Sequence, residues 1–263
     1  EWHFDGLVVS DWDSVRQLHI HGLTENDKDS AFEAVTAGVD MEMEGDSYIN
    51  HLAALIEEGR ISTQLIDAAV SNILRVKLRL GLFQNPYTNP NDLPPMADAQ
   101  ALAISKKAAL QSIVMLKNEH HVLPLSSAEL QSLAVIGPLA DAPYEQLGAW
   151  IFDGDTDISV SPLNAISSLV GDEVDVRYLP AMDTSRSKSS EPFDEAVALA
   201  RDSDVVALFL GEESILSGEA HSRADINLPG AQAELVRRIR ETGKPVVAVI
   251  LAGRPLTLTN IID

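Results

Sequence analysis

The strongest constraint on the fold comes from three short apolar runs in the second half of the sequence. They are LAVIG at 133–137, VVALFLG at 205–211 and PVVAVILAG at 245–253. Short continuous apolar runs are typical of strands that are buried on both faces. The intervening segments 193–204 and 230–243 have the pattern of amphipathic helices. Strands that alternate with helices predict right-handed crossovers and a mainly parallel sheet with helices on both faces.

Other segments of the chain also show strand or helix patterns. A more polar strand is predicted at 174–180, before the first of these helices. Two strands and three helices are predicted ahead of it, at 4–9, 39–43, 27–38, 48–59 and 62–81. Asp27 or Asp29 is the candidate N-cap of the first helix, and Ser62 that of the third.

A segment rich in proline and asparagine, FQNPYTNPNDLPP at 83–95, separates the two halves of the chain. Proline blocks regular secondary structure, so this segment reads as a linker. A helix is predicted to begin just after it. We therefore divide the chain into a first domain at 1–82, a linker with a bridging helix at 83–118, and a second α/β domain at 119–263.

Composition and charge exclude several classes of function. The 263 residues contain 19 Lys and Arg against 40 Asp and Glu, a formal net charge of -21 at pH 7. Such a charge repels phosphate backbones and anionic membranes, so we expect no nucleic-acid or membrane partner. The absence of cysteine excludes disulfides and thiolate metal sites. The histidine pairs His19/His21 and His120/His121 lack a set of metal partners, so we predict no metal and no cofactor.

Acidic residues follow two of the predicted strands. Asp11 comes after the first strand, and Glu212, Glu213 and Glu219 come after the strand at 205–211. Ligands bind beyond the carboxyl ends of strands in parallel α/β folds. The loop at 211–230 is longer than an ordinary connection, which favours a functional role.

Two carboxylates on separate modules suggest glycoside hydrolysis. A retaining glycosidase uses one ionised carboxylate as nucleophile and a second, protonated carboxyl as acid, about 5–5.5 Å apart. The sequence does not supply that distance. Asp11 fits the ionised role and Glu219 the protonated one. Trp12 offers a flat apolar face on which a sugar ring can stack.

Seven segments carry a family resemblance, in chain order: GLVVSDW, AVTAGVDMEM, GLFQNPY, SIVMLKNEHHVLPL, AVIGPLAD, GEESILSGEAHSRADINLPGAQ and VAVILAGRP. With them the chain resembles glycoside hydrolase family 3, and in particular its bacterial β-glucosidases. No single motif is specific, but the ordered set covers nearly the whole chain. The resemblance implies an α/β protein in which the C-terminal part of a (β/α)8 barrel is joined by a linker to an incomplete α/β sandwich.

The resemblance also implies roles for individual residues. Asp11 is the expected nucleophile and Glu219 the expected general acid/base. Trp12 and Met43 correspond to residues that line the pocket for the terminal sugar, and Trp150 is expected near the leaving-group side.

Two further side chains are assigned to the same site. We expect His221 and Arg223 to contribute to substrate binding. There they either tune Glu219 electrostatically or pair with Asp225, and the sequence leaves both readings open.

The function that follows is a retaining, exo-acting β-glycosidase, foremost a β-glucosidase that acts on terminal non-reducing glucose of a β-glucoside or oligosaccharide. Asp11 would follow the seventh strand of the family's barrel, so the chain is expected to be an internal fragment. It would need the missing barrel strands from a parent chain, and the sequence leaves open whether the isolated chain is active. The resemblance implies a periplasmic or secreted location.

Two alternatives stay open. One is a catalytically dead fragment or a carbohydrate-binding remnant. The other is a Mg²⁺-dependent phosphatase of the haloacid-dehalogenase type, because LVVSDWDSV resembles the first motif of that family. In that case Asp11 would attack phosphorus and Asp13 would act as acid/base.

Overall fold

The computed structural model describes residues 4–262, which form two units. The first unit ends at Met96 and the second begins at Ala97. Between 83 and 95, the proline-rich stretch contains a short 3-10 turn at Pro90–Asp92. Each unit has its own sheet.

The first unit contains two parallel strands and four helices among its described residues. In chain order these are β1 (Val9–Trp12), α1 (Ser14–Ile20), α2 (Asp27–Thr36), β2 (Met41–Met43), α3 (Ser47–Glu57) and α4 (Thr63–Arg79).

Capping side chains fix where two of these helices start. Asn26 caps α2 by accepting a hydrogen bond from the Asp29 backbone N–H, so neither Asp27 nor Asp29 is the N-cap. The side chain of Ser62 caps α4 by accepting from the Leu65 backbone N–H, as predicted. A small core joins α2 to α3 and the turn that precedes α4; its buried members are Ala31, Val35, Leu55 and Ile61.

The first strand differs from its prediction in position and in burial. It runs from Val9 to Trp12, whereas the apolar pattern had placed it at 4–9. Val8 and Val9 are 40% and 42% exposed. Within residues 4–262, β1 pairs with β2 alone, so no further strand covers its other edge.

The second unit contains a four-stranded sheet in the order β4-β3-β5-β6. Its elements are α5 (Ala99–Ser112), β3 (Ser132–Ile136), α6 (Pro162–Val170), β4 (Asp175–Leu179), α7 (Phe193–Arg201), β5 (Val205–Gly211), α8 (Gln232–Arg240) and β6 (Val246–Leu251). All pairings in this sheet are parallel. The predicted α/β class with a mainly parallel sheet is therefore confirmed.

Alternate residues of the central strands pack on opposite faces of this sheet, as the strand period requires. One face packs against α7 and α8 through Ile136, Val206, Leu208, Leu210, Phe193, Leu235 and Ile239. The other face packs against α6 through Leu133, Val135, Ala207, Phe209, Leu163 and Ile166. Helices thus cover both faces, which explains why β5 and all of β3 after Ser132 are apolar.

Between residues 4 and 262, each helix is too short or too polar to cross a bilayer.

Candidate active site

Asp11 lies at an irregularity of the β1–β2 pair. Val9 pairs with Met41 and Trp12 pairs with Met43, so β1 advances by three residues while β2 advances by two. This extra residue is a β-bulge, a feature that redirects side chains and is common beside active sites. The bulge lies at Ser10 and Asp11, between the two paired positions.

Hydrogen bonds hold the bulge in place. The Ser10 hydroxyl accepts from the Met43 backbone N–H at 2.9 Å and donates to the Asp11 carbonyl at 2.8 Å. Asp11 Oδ1 accepts from the Trp12 backbone N–H at 2.7 Å. No side chain in residues 4–262 forms a hydrogen bond or ion pair with Asp11, so its carboxylate is available to a ligand.

The apolar side chains expected at this site are accessible. Trp12 is 63% exposed and Met43 is 37% exposed at the ends of β1 and β2. The Trp12 indole therefore presents surface on which a sugar ring can stack.

Asp40 supports the start of this strand pair, opposite the end that carries Trp12 and Met43, a role that the sequence did not indicate. Its Oδ2 accepts from the Val8 backbone N–H at 2.9 Å, and its Oδ1 accepts from Asn72 Nδ2 on α4 at 3.0 Å. This single carboxylate ties β1 to a helix that lies far from it in sequence. No local pattern marks such a contact.

The three glutamates after β5 have different surroundings. The Glu212 side chain is fully buried, with Arg223 Nη1 hydrogen-bonded to its Oε1. Its other oxygen, Oε2, lies 3.3 Å from Arg254 Nε in an ion pair without hydrogen-bond geometry. A fully buried carboxylate held between two guanidinium groups cannot contact a substrate.

The Glu213 carboxylate is also bound by neighbouring side chains. It accepts hydrogen bonds from the Ser185 hydroxyl at 2.7 Å and from Arg186 Nε at 3.0 Å. Burial alone raises the pKa of the Glu213 carboxyl, but the bonds from Arg186 and Ser185 outweigh it and lower that pKa below its usual value. Glu213 is therefore kept ionised and suits the role of an acid poorly.

Glu219 is exposed and has no hydrogen-bond or ion-pair partner among residues 4–262. The next residue, Ala220, has a φ of 61°, so the chain bends sharply there. A β-carbon placed on Gly218 would lie 3.2 Å from Ala149 Cβ and 4.0 Å from Trp150 Nε1. The structure thus brings Trp150, itself 67% exposed, close to the residue before Glu219.

The two basic side chains assigned to the site face other partners. His221 Nδ1 lies 3.0 Å from the Ser217 carbonyl oxygen. Arg223 bonds to Glu212 and, through Nη2, to the Asn227 carbonyl at 3.2 Å. Asp225 accepts from the backbone and side chain of Asn227, which together lower the pKa of the Asp225 carboxyl. Arg223 adds only an electrostatic contribution at Asp225, and substrate binding by His221 and Arg223 stays a prediction.

Arg254 was not singled out from the sequence. It belongs to the motif VAVILAGRP, but nothing in that motif shows that its side chain reaches Glu212, which lies 42 residues earlier. Nor do residues 4–262 bring together three or more His, Asp or Glu side chains in a group that could hold a metal ion.

Comparisons with known proteins place the chain in a family. The N-terminal domain of glycosyl hydrolase family 3 matches residues 1–76, and the C-terminal domain of that family matches residues 113–263. The second match alone covers more than half of the chain. The protein belongs to glycoside hydrolase family 3.

Individual relatives agree with this assignment. Over 99% of the present chain, the sequence is 34% identical to a periplasmic beta-glucosidase of Salmonella typhimurium. Over 100% of the present chain, it is 35% identical to a beta-xylosidase of Formosa agariphila. A crystal structure of beta-glucosidase from Listeria innocua in complex with isofagomine matches 98% of the chain with a TM-score of 0.88 and 34% identity.

The chain is shorter than these relatives. It spans 37% and 38% of the two curated proteins and 35% of the Listeria innocua chain.

Proposed function

We propose that this chain carries both catalytic carboxylates of a retaining β-glycosidase, with Asp11 as nucleophile and Glu219 as general acid/base. The observation that carries the proposal is the difference between the three glutamates after β5. Glu212 is buried between two arginines and Glu213 is paired with Arg186, whereas Glu219 is exposed and unpartnered among the described residues.

The chemistry proceeds in two steps. First, the Asp11 carboxylate attacks the anomeric carbon while protonated Glu219 gives its proton to the departing glycosidic oxygen. Then Glu219, now ionised, takes a proton from water, and that water attacks the anomeric carbon and releases Asp11. The bulge at Ser10 and Asp11 supports the first role, because its hydrogen bonds leave Asp11 Oδ2 without a partner in the described chain.

The substrate that we favour is a terminal, non-reducing β-linked glucose. The support is the likeness to the Salmonella typhimurium periplasmic beta-glucosidase and to the Listeria innocua structures, which include one in complex with glucose. The beta-xylosidase of Formosa agariphila, at 35% identity, makes β-xylosides the competing substrate class. We propose that kcat/KM of the full-length protein is higher for an aryl β-glucoside than for the matching β-xyloside, and the opposite order would reject glucose.

The role of Glu219 can be tested through the leaving group. In the full-length protein, Glu219→Ala should slow hydrolysis of a methyl glucoside far more than that of a dinitrophenyl glucoside, which departs without a proton. General acid/base catalysis supplies about 10²–10⁴-fold, so the loss on the poor leaving group should fall in that range. Glu213→Ala is the matched control and should affect both substrates equally. Equal losses for Glu219→Ala would reject the acid role.

The alternatives make different predictions. A catalytically inactive or merely sugar-binding protein would bind a glucoside but would not hydrolyse it, whatever the leaving group. A phosphatase would hydrolyse a phosphate ester with added Mg²⁺, but family membership gives that reading no support.

A further inference from the structure

The loop that carries Glu219 is held by the chain segment that follows β6, which we call the brace segment (252–257). A β-carbon on Gly253 would lie only 2.2 Å from Ser217 Oγ, so the Ser217 side chain packs directly against the Gly253 backbone. Further along, the Thr257 backbone N–H donates to the Ile226 carbonyl at 2.9 Å. The brace segment therefore contacts the loop on both sides of Glu219.

Arg254 contacts the loop both before and after Glu219. Its Nη2 donates to the Leu216 carbonyl and, at 2.9 Å, to the His221 carbonyl. These two carbonyls lie three residues before and two residues after Glu219. One guanidinium thus clamps both ends of the short exposed bend that presents the acid.

Glu212 fixes the guanidinium in turn. Its Oε2 lies 3.3 Å from Arg254 Nε, while its Oε1 is bonded to Arg223. The Glu212 backbone N–H also donates to the Leu251 carbonyl at 2.8 Å, which ties it to the end of β6. The buried carboxylate therefore anchors two arginines, and both of them hold the Glu219 loop through backbone carbonyls.

We propose that Arg254, anchored by Glu212, is a positioning residue that holds Glu219 where it can protonate the leaving group. This inference rests on the proposed function of Glu219. Arg254 itself transfers no proton. Its loss would leave the Glu219 carboxyl in the protein but free to move with its loop.

The test is leaving-group dependence in the full-length protein. Misplacing a catalytic group by about 1 Å costs about 10²-fold. We therefore expect Arg254→Ala to lower kcat/KM for a methyl glucoside by about 10²-fold and to leave that for a dinitrophenyl glucoside within about threefold. Arg254→Lys keeps the charge but not the forked donors, so it should recover only part of the rate on the methyl glucoside. Added guanidinium ion should restore part of the activity of Arg254→Ala.

Two controls separate positioning from folding. Arg201→Ala removes an exposed arginine at the end of α7 and should leave both substrates unaffected. Thermal unfolding of Arg254→Ala is measured in parallel, to show whether the variant is folded. The buried Glu212 carboxylate still has Arg223 as its ion-pair partner in that variant. If Arg254→Ala does not fold, Arg254→Lys carries the test alone, with the same selective loss expected.

Failure of this inference can be told apart from failure of the proposed function. Equal losses on both leaving groups in Arg254→Ala, when Glu219→Ala is selective, would overturn the positioning role alone. If Glu219→Ala is itself unselective, the acid assignment fails and the positioning role fails with it.

Discussion

Gln232 forms the most extensive set of side-chain hydrogen bonds to the backbone in the core of the second unit. It is fully buried, and its Nε2 donates to the carbonyls of Ser185, Gly211 and Pro229 at 2.8, 2.8 and 3.1 Å. Its Oε1 accepts from the Gly211 backbone N–H at 2.8 Å. One amide thus contacts four backbone groups at the end of β5 and in two adjoining loops, and its two N–H hydrogens are shared among the three carbonyls.

Replacing Gln232 by Met keeps the volume and removes all four hydrogen bonds. Leaving a buried backbone group unpaired costs about 1–3 kcal/mol. Four such groups at the lower end of that range give about 4 kcal/mol. We therefore expect Gln232→Met to destabilise the second unit by about 4 kcal/mol, a large share of the stability of an ordinary domain.

Hydrogen–deuterium exchange of the β5 amides is the assay, because those amides report opening of the second unit by itself. A loss of about 4 kcal/mol should speed their exchange about a thousandfold. The matched control is Gln146→Met, since Gln146 is exposed and makes one hydrogen bond, to the Val160 carbonyl. It should change stability by less than about 0.5 kcal/mol. A loss below about 1 kcal/mol for Gln232→Met would refute the reasoning.

Two further predictions concern the first sheet and the surface of α8. Trp12→Ala should raise KM by up to about tenfold at nearly unchanged kcat and thermal stability, because the role that we propose for this exposed ring is substrate binding; a change in kcat alone would contradict this. Hydrogen bonds from Arg237 and Arg238 lower the pKa of Glu234 from 4.5 to about 2, so its ionised form stabilises the folded state above pH 4.5. The native protein should therefore be more stable than Glu234→Gln above pH 4.5, and this difference in urea midpoint should shrink as pH falls from 4.5 towards about 2. A difference in urea midpoint that stays constant over this range would contradict the pairing of Glu234 with the two arginines.

The apolar runs predicted the second sheet well because burial on both faces leaves an unbroken pattern in the sequence. β3, β5 and β6 lie within or close to the predicted segments, and their pairing is parallel. Helix α6 was not predicted, although Ser161 followed by Pro162 is a recognisable helix start.

The first strand was misplaced for a physical reason. Its apolar residues end at Val9, but its register is set by pairing with Met41 and Met43 and by the Ser10 hydroxyl. Long-range side-chain contacts could not be predicted from the sequence. Neither the Asp40–Asn72 bond nor the Arg254–Glu212 pair has a local pattern, because only the fold brings those residues together.

The most direct test of the account is to trap the covalent intermediate. The full-length protein is incubated with an activated 2-fluoro-glucoside, which forms the glycosyl-enzyme but slows its hydrolysis, and the labelled peptide is mapped by mass spectrometry. The account predicts stoichiometric label on Asp11 and none in Asp11→Asn. Label on another carboxylate, or turnover of a glucoside without any trapped intermediate, would contradict it.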